Sequence, residues 1–315
     1  MKSRVRAIRR AALCAGVLVS ALLSSCGGGE QSSNFHASRV IAFGDEFSVI
    51  NNDQSKYTIN ALVSGTTTLD CETNPIWIQA LAALYAISFP QCPSTTGLLP
   101  NGLIYATNGA TVADLATQID AQLANDGFRD GDLVTVLVGA NDVVAQFAQY
   151  STLGEDQLLA NLDAAAVELA NQVNRLADLG AKVLISTIPN MGLTPFAGDR
   201  SVGSTDGNPP LLSRLSTRFN DTLLVHLTND GHKIGLIQLD EYLRAIDTAT
   251  RNGQGGIANS TLPACAVALP NCTTNTLVAD AVGVTWLWAD DRHLAPIGQA
   301  GLASLAATRA QNNPF

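Results

Sequence analysis

The sequence predicts an α/β fold of three layers, in which a mainly parallel β-sheet lies between two layers of helices. Short apolar runs alternate along residues 38–315 with longer segments whose apolar residues recur every three to four positions. The first pattern is typical of strands buried on both faces, and the second is typical of amphipathic helices. Alternation of the two patterns along one chain indicates parallel strands joined by helical crossovers.

Each predicted strand is a short apolar run, and the clearest of them stop at residues that end a strand. Gly44, Gly139 and Pro189 stand at three of these ends, and neither Gly nor Pro readily continues a central strand. In chain order, the predicted strands cover residues 40–43, 103–106, 133–138, 182–188 and 234–239.

The predicted helices follow these strands and carry helical apolar stripes with start and stop signals. Pro75 stands near the start of the first helix, and Gly180 supplies a stop for the longest one. In chain order, the predicted helices cover residues 75–86, 111–123, 155–179, 211–227 and 296–310. Residues 190–210 and 251–285 have neither pattern. They are predicted to be long loops, which either shape a substrate pocket or only cover the surface.

The first 25 residues are predicted to be a secretory leader rather than part of the fold. Basic residues precede an apolar stretch that is too short for a stable transmembrane helix. Its end, Leu-Ser-Ser-Cys at residues 23–26, resembles a bacterial lipobox, which implies cleavage before Cys26 and a lipid on its thiol. The alternative is an ordinary signal peptide with an incidental cysteine. Residues 26–37 are then a flexible tether, and residues 38–315 form a single domain that its lipid alone holds at a membrane.

An exported lipoprotein of this kind belongs on the periplasmic side of the cell envelope or at the cell surface. Gly27 stands where an Asp would indicate retention in the inner membrane, so the outer membrane is favoured. Loss of 25 residues, five of them basic, reduces the chain from 315 to 290 residues and Lys plus Arg from 18 to 13. Against 27 acidic residues these 13 give a net charge of −14. Such a surface repels phosphate backbones, so a nucleic-acid partner is not expected.

Four cysteines remain once the leader and the lipidated residue are set aside. An exported chain meets an oxidising environment, and four cysteines permit three pairings. Proximity in sequence favours Cys71 with Cys92 and Cys265 with Cys272. A zinc site is not favoured, because no C-x2-C pair occurs among them.

Three short polar blocks are the candidates for a functional site, and two of them directly follow predicted strands. Ligands of parallel sheets bind beyond the carboxyl ends of the strands, so the blocks are predicted to share one pocket. The blocks are Gly44-Asp45-Glu46-Phe47-Ser48, Gly139-Ala140-Asn141-Asp142 and Asp290-Asp291-Arg292-His293.

His293 is the candidate general base, because Asp290 lies three residues upstream and can fix its tautomer and stabilise its imidazolium. The side-chain amide of Asn141 can donate a hydrogen bond to an oxyanion. With a nucleophile, these groups would suffice for acyl transfer. Each has a structural alternative, which is a surface turn for Asp290 and His293 and a helix N-cap for Asn141.

Together the blocks resemble the signature blocks of the GDSL (SGNH) esterase and lipase family, and the resemblance covers most of residues 38–311. It implies an SGNH-hydrolase-like, flavodoxin-like α/β/α sandwich. It also implies hydrolysis of carboxylic esters without a cofactor, on small-molecule esters, lipid esters or acylated glycans. Asn141 is then an oxyanion donor. Gly109 matches the glycine block of the family and would be a second donor through its backbone N–H; a plain turn is the alternative.

The chain departs from that family at the nucleophile, because Glu46 stands where the family has its serine. Ser48, two residues further on, is one candidate substitute. Glu46 itself is a second candidate, as a nucleophile or as a base for water. However, it would raise the pKa of His293, and its attack on an ester would give a costly mixed anhydride. The third interpretation is that acyl transfer has been lost and that a Glu46–His293 ion pair fills the former site.

Metal ligation by Glu46, Asp290 and His293 is disfavoured, because Asn141 would be a poor fourth ligand. The sequence therefore predicts a GDSL-type ester hydrolase of the bacterial cell envelope with an altered nucleophile position. The competing prediction is an inactive relative of such enzymes that binds acyl or glycan ligands.

Overall fold

A five-stranded parallel sheet forms the centre of the computed structural model, which describes residues 35–198 and 209–315. In chain order the strands are β1 (Arg39–Gly44), β2 (Ala61–Leu62), β3 (Leu69–Asp70), β4 (Gly102–Ile104), β5 (Asp132–Leu137), β6 (Lys182–Ser186), β7 (Ile234–Ile237), β8 (Asn259–Pro263) and β9 (Trp286–Trp288). The central sheet has the order β4-β1-β5-β6-β7, and each neighbouring pair in it is parallel. β2 pairs with β3 and β8 pairs with β9 in two small separate sheets.

Helices cover both faces of the central sheet. In chain order they are α1 (Trp77–Ala83), α2 (Val112–Asn125), α3 (Ala140–Phe147), α4 (Tyr150–Leu153), α5 (Glu155–Asp178), α6 (Pro209–His226), α7 (Leu239–Arg251) and α8 (Pro296–Asn312). The apolar faces of α2, α5 and α6 form one buried cluster, and those of α1, α7 and α8 form another. Alternate residues of β1 divide between the two clusters, with Ile41 and Phe43 in the first and Val40 and Ala42 in the second. The predicted three-layer α/β/α sandwich is therefore confirmed.

The structure moves several predicted boundaries and adds elements that the sequence pattern missed. The predicted strand 234–239 ends at Ile237, and Leu239 begins α7 because it packs with Leu243, one helical turn on, in the second cluster. The predicted loop 251–285 contains β8, which pairs with β9. α3 also lay outside the predictions. It puts Asn141 inside the first turn of a helix, and Gly139 rather than Asn141 is the N-cap residue.

Both disulfides favoured by proximity are present, Cys71–Cys92 and Cys265–Cys272, with Cα separations of 5.8 and 5.9 Å. Residues Phe35–Phe315 form one compact unit. The predicted leader, the lipidation site Cys26 and residues 26–34 of the tether lie outside the described residues and stay predictions. Within residues 35–198 and 209–315, no helix has the length and apolar character needed to cross a bilayer.

Candidate active site

The order of the central strands creates a crevice between β1 and β5. Numbered along the chain within this sheet alone, the strands run 2-1-3-4-5, so the connections on the two sides of β1 lead to opposite edges. Ligands of such sheets bind outside the carboxyl ends of the strands at this switch point. Glu46 follows β1 closely and Asn141 follows β5 closely, so both residues lie at the crevice.

Glycine lets the chain turn sharply at both strand ends. Gly44 ends β1 with a φ of +119°, and a Cβ on it would lie 1.9 Å from the carbonyl oxygen of Leu137 in β5. Gly139 follows β5 with a φ of +123°, and a Cβ on it would lie 2.4 Å from the Phe219 ring. A side chain at either position would therefore clash as well as strain the backbone. These two turns deliver the residues that follow them into one crevice.

The carboxylate of Glu46 is the centre of the site, and its residue is only 3% exposed. Its Oε2 accepts hydrogen bonds from the backbone N–H of Gly109 at 2.8 Å and from the amide of Asn141 at 3.0 Å. Its Oε1 lies 3.1 Å from Nε2 of His293. A serine-type ester-cleaving centre keeps a nucleophile beside the base and an empty place between oxyanion donors. Here one carboxylate occupies both places.

Asp290 holds the other side of the imidazole of His293. Nδ1 of His293 lies 2.9 and 2.8 Å from the two carboxylate oxygens of Asp290. Oδ1 of Asp290 also accepts the backbone N–H groups of Arg292 and His293, at 3.0 and 2.7 Å, so this loop folds around its own carboxylate. The rings of Phe47 and Tyr57 pack beside the imidazole, with centroids 5.4 and 5.9 Å away. The imidazole is therefore fixed in direction before any ligand arrives.

Glu46 and His293 form an ion pair at neutral pH. Burial would raise the pKa of Glu46, but the hydrogen bond and the charge of His293 outweigh burial and lower this pKa to about 2. Burial would lower the pKa of His293, but its hydrogen bonds to Asp290 and Glu46 outweigh burial and raise this pKa to about 9. The pKa of Asp290 is lowered as well, because the hydrogen bond to His293 outweighs burial. An imidazolium cannot accept a proton, so His293 is not a base while Glu46 is charged.

Ser48 is the one sequence-predicted site residue that the structure leaves out of this cluster. It is fully buried, and its hydroxyl accepts the indole N–H of Trp77 at 3.2 Å. Residues 46–48 form a 3₁₀ turn, in which residues two positions apart point in different directions. Among the hydrogen bonds of the described residues, none joins Ser48 to His293. The catalytic roles of the other site residues stay predictions.

Glu46, Asp290 and His293 line an open cleft of about 580 Å³. Residues 266–270 form an apolar wall within the loop that the Cys265–Cys272 disulfide closes. Tyr57, Asn108 and Arg292 line other parts of the cleft, and none of them has a role predicted from the sequence. No pattern marks Tyr57 or Asn108. Arg292 stands inside the Asp-x-x-His block, and this position could have drawn attention to it.

Asp290, Asp291 and His293 each bring one potential metal ligand atom within 4.8 Å of the others. Both imidazole nitrogens, however, are already engaged, one by Glu46 and the other by Asp290. A metal would need one of those nitrogens in its neutral, unprotonated form. These residues are therefore better arranged as an oriented imidazole than as a metal site.

A layered α/β domain with an oriented imidazole and two converging N–H donors beyond the strand ends is an arrangement suited to a hydrolase. The sequence model of the GDSL-like lipase/acylhydrolase family matches residues 40–305, and the chain belongs to this family of hydrolases acting on esters. Its position 46 carries a glutamate within that framework.

Two known proteins are similar to this chain at low sequence identity. A phosphatidylcholine-sterol acyltransferase from Aeromonas hydrophila is 24% identical over 234 residues, which are 72% of this chain and 65% of that protein. The chain thus spans somewhat less than two thirds of this curated relative. The solved structure of a catalytic mutant of an acetylxylan esterase from Geobacillus stearothermophilus is similar with a TM-score of 0.50 and 12% identity, covering 90% of this chain and 99% of that one. At this identity the likeness shows the fold alone.

Proposed function

We propose that the protein is a lipid-anchored hydrolase of the bacterial cell envelope in which the Glu46 carboxylate is the reacting group. One observation carries this proposal. Oε2 of Glu46 lies between the N–H donors of Gly109 and Asn141 while Oε1 faces Nε2 of His293. The side-chain carboxylate of Glu46 thus occupies the place that the acyl group of the substrate takes in an ester hydrolase.

Attack by Glu46 on the carbonyl of an external ester does not fit this arrangement. The product would be a mixed anhydride, which is a high-energy intermediate. The substrate carbonyl would also lack its oxyanion donors, because Gly109 and Asn141 already bind Oε2. Loss of one such donor typically reduces catalysis by about 10²–10³-fold.

Attack by Oε1 of Glu46 on a saturated carbon fits better, because it yields an ordinary ester of the Glu46 side chain. The same groups are then arranged to hydrolyse that ester. Water adds to Cδ, Oε2 becomes the oxyanion between Gly109 and Asn141, and Oε1 leaves as part of the alcohol. His293, at 3.1 Å from Oε1, supplies the proton to this leaving oxygen.

Esterification of Glu46 also lowers the pKa of His293, which the second step requires. The charge of Glu46 is one cause of the raised pKa of His293. An ester at residue 46 carries no charge, so this pKa falls and the imidazole can accept a proton from water. His293, which is an imidazolium in the resting ion pair, thus becomes a base only after the first step.

The test uses 4-nitrobenzyl bromide, an alkylating probe with a saturated reactive carbon, on the full chain in detergent. The wild type should release 4-nitrobenzyl alcohol faster than buffer alone and stay unlabelled. His293→Gln should accumulate a nitrobenzyl adduct on the peptide that contains Glu46, since it lacks the base for the second step. Mass spectrometry of intact chain and peptides measures both results.

Glu46→Gln is the matched control and should neither turn over nor carry label at residue 46. Asp290→Asn, in which the imidazole keeps its place but loses its carboxylate, serves as a second trap if His293→Gln does not fold. Equal labelling of wild type and His293→Gln, or none at Glu46 in any folded variant, would refute the proposal.

A second function has its own support, because each oxygen of Glu46 is already held by a protein donor in the resting state. A site satisfied in this way also suits a protein that binds acyl or acylated glycan ligands in the cleft without cleaving them. Absence of labelling at Glu46, together with saturable binding of a non-cleavable acyl ligand, would favour this function.

The envelope location rests on the leader and on the Leu-Ser-Ser-Cys end at residues 23–26. A lipid on Cys26 would hold the domain at the membrane without a spanning helix. Cys26→Ser should therefore move the protein from the membrane fraction to the soluble fraction of lysed cells. Retention of this variant in the membrane would contradict the lipid anchor.

A further inference from the structure

The cleft above Glu46 combines an apolar wall with a cation. Residues 266–270 provide the apolar wall, and Arg292 is the cleft residue with a permanent positive charge. An apolar wall accepts a hydrocarbon group, whereas a guanidinium accepts an anion, preferably a tetrahedral or planar oxyanion. A molecule with both parts would fit such a cleft.

Arg292 is weakly paired for an arginine at the edge of a site. Its nearest carboxylate is Asp291, with 3.6 Å between Nη1 and Oδ2, and its side chain is 27% exposed. Its Nε is buried and has no hydrogen-bond partner among the described residues. The guanidinium carbon lies 5.9 Å from the centroid of the Phe196 ring, which holds it by a cation–π contact.

The carboxylates of Glu46 and Asp290, in contrast, have their donors. Glu46 accepts from Gly109, Asn141 and His293, and Asp290 accepts from His293 and from two backbone N–H groups. Arg292 therefore keeps unused donor capacity in the cleft, beside Asp291, which is only weakly paired with it. An incoming anion would find a donor in Arg292, although the protein as a whole is negative.

We infer that the substrate is an alkyl sulfate, whose sulfate group binds Arg292 and whose alkyl carbon faces Glu46. This inference rests on the proposed function, since it names the molecule from which the ester of Glu46 forms. Attack at a saturated carbon needs a leaving group that is stable as an anion, and a cation beside it lowers the barrier. A sulfate ester brings one negative charge into an acidic protein, whereas a phosphate monoester at neutral pH brings nearly two.

The two steps balance in atoms and charge. Oε1 of Glu46 forms a bond to the alkyl carbon, and the bond from that carbon to the sulfate oxygen breaks. The departing sulfate carries off both negative charges beside Arg292, and His293, whose pKa falls once Glu46 is esterified, releases its proton to the solvent. Neutral His293 then removes a proton from water, which adds to Cδ of Glu46, and the tetrahedral oxyanion forms at Oε2. His293 returns the proton to Oε1 as the alcohol leaves, and the new carboxylic acid of Glu46 gives its proton back to His293.

The test compares 4-nitrobenzyl sulfate, phosphate and bromide, which share one alkyl group, on the full chain in detergent. The wild type should hydrolyse the sulfate, with a kcat/KM at least about 10-fold above that for the phosphate. Arg292→Gln should lower the ratio of sulfate to bromide reactivity by about 10–100-fold, the usual effect of losing a hydrogen bond to a charged group. Arg292→Lys should recover part of this loss. Arg214→Gln, which removes an arginine paired with Glu155 elsewhere on the surface, should leave the ratio unchanged.

Isotope labelling identifies the bond that breaks. In a single turnover in H₂¹⁸O, the peptide with Glu46 should gain ¹⁸O, while the alcohol and the sulfate stay unlabelled. Label in the sulfate would mean attack at sulfur and would overturn the inference.

The bromide separates failure of the inference from failure of the proposed function. Two results would contradict the inferred alkyl sulfate and leave the Glu46 mechanism in place. One is reaction of the bromide at Glu46 without turnover of the sulfate. The other is sulfate turnover that Arg292→Gln does not change. No reaction of either probe at Glu46 would remove both.

Discussion

Glu46→Ser should convert the protein into a hydrolase of p-nitrophenyl acetate, with a rate roughly 10²–10⁴-fold above that of Glu46→Ala. The shorter side chain frees the N–H donors of Gly109 and Asn141, which now hold Oε2 of Glu46. The carbonyl oxygen of the substrate can then take the place of Oε2. Without a carboxylate beside it, His293 has a lower pKa and can accept the serine proton.

Two variants identify the nucleophile in this experiment. Glu46→Ala empties the same space without adding a hydroxyl, and Ser48 is present in both variants. Comparable ester hydrolysis by Glu46→Ala would therefore show that the new serine is not the nucleophile. The double change of Glu46→Ser with His293→Gln should lose the gain, since the new serine would have no base. A folded but inert Glu46→Ser would mean that residue 46 is not at the nucleophile position.

The Glu46–His293 pair should make stability depend on pH with a maximum between about pH 4.5 and 6.5. The pKa of Glu46 falls from 4.5 to about 2 on folding, so its contribution is present above pH 4.5 and is lost as the pH drops towards 2. The pKa of His293 rises from 6.5 to about 9, so its contribution is complete below pH 6.5 and is lost as the pH rises through 9. The shift of His293 corresponds to about 3 kcal/mol of unfolding free energy.

Urea unfolding of the wild type and of Glu46→Gln at pH 6 and pH 9 measures this effect. The wild type should lose about 3 kcal/mol from this group between the two values, and Glu46→Gln should lose less, because Asp290 alone then holds the imidazolium. The other carboxyl groups near the imidazole are Asp291 and the buried Asp45, and burial raises the pKa of both; both remain in the variant, as does the neighbouring Arg292. Glu155→Gln breaks only a surface pair with Arg214 and should follow the wild type. An identical pH dependence in Glu46→Gln and wild type would rule out the ion pair.

Much of the fold could be predicted because its signals are local. The apolar runs that end at Gly44 and Gly139 lie in a stretch of a few residues, and they mark β1 and β5 within one residue at either end. The whole of α7 was missed, and its first residue, Leu239, was assigned to the preceding strand because it continues an apolar run that suits a strand or a helix equally well. Only its packing against the second cluster selects the helix.

The sequence predicts which residues form the site better than it predicts how those residues are arranged. Asp290 and His293 are near in sequence, so their contact follows from spacing. Gly109 rested on the family resemblance alone, because a glycine in a turn carries no chemical signal of its own. The direction of Ser48 depended on the 3₁₀ turn after β1 and on Trp77 in α1, neither of which the pattern of apolar residues reveals.

By itself the sequence determined the hydrolase framework and placed an acidic residue where the family has a nucleophilic serine. Only the tertiary structure decided what that acid does at rest, which is to span the base and both oxyanion donors with one carboxylate. The physical reason is distance along the chain. The partners of Glu46 lie 63, 95 and 247 residues away, and contacts of that kind arise from strand order and helix packing rather than from any local pattern.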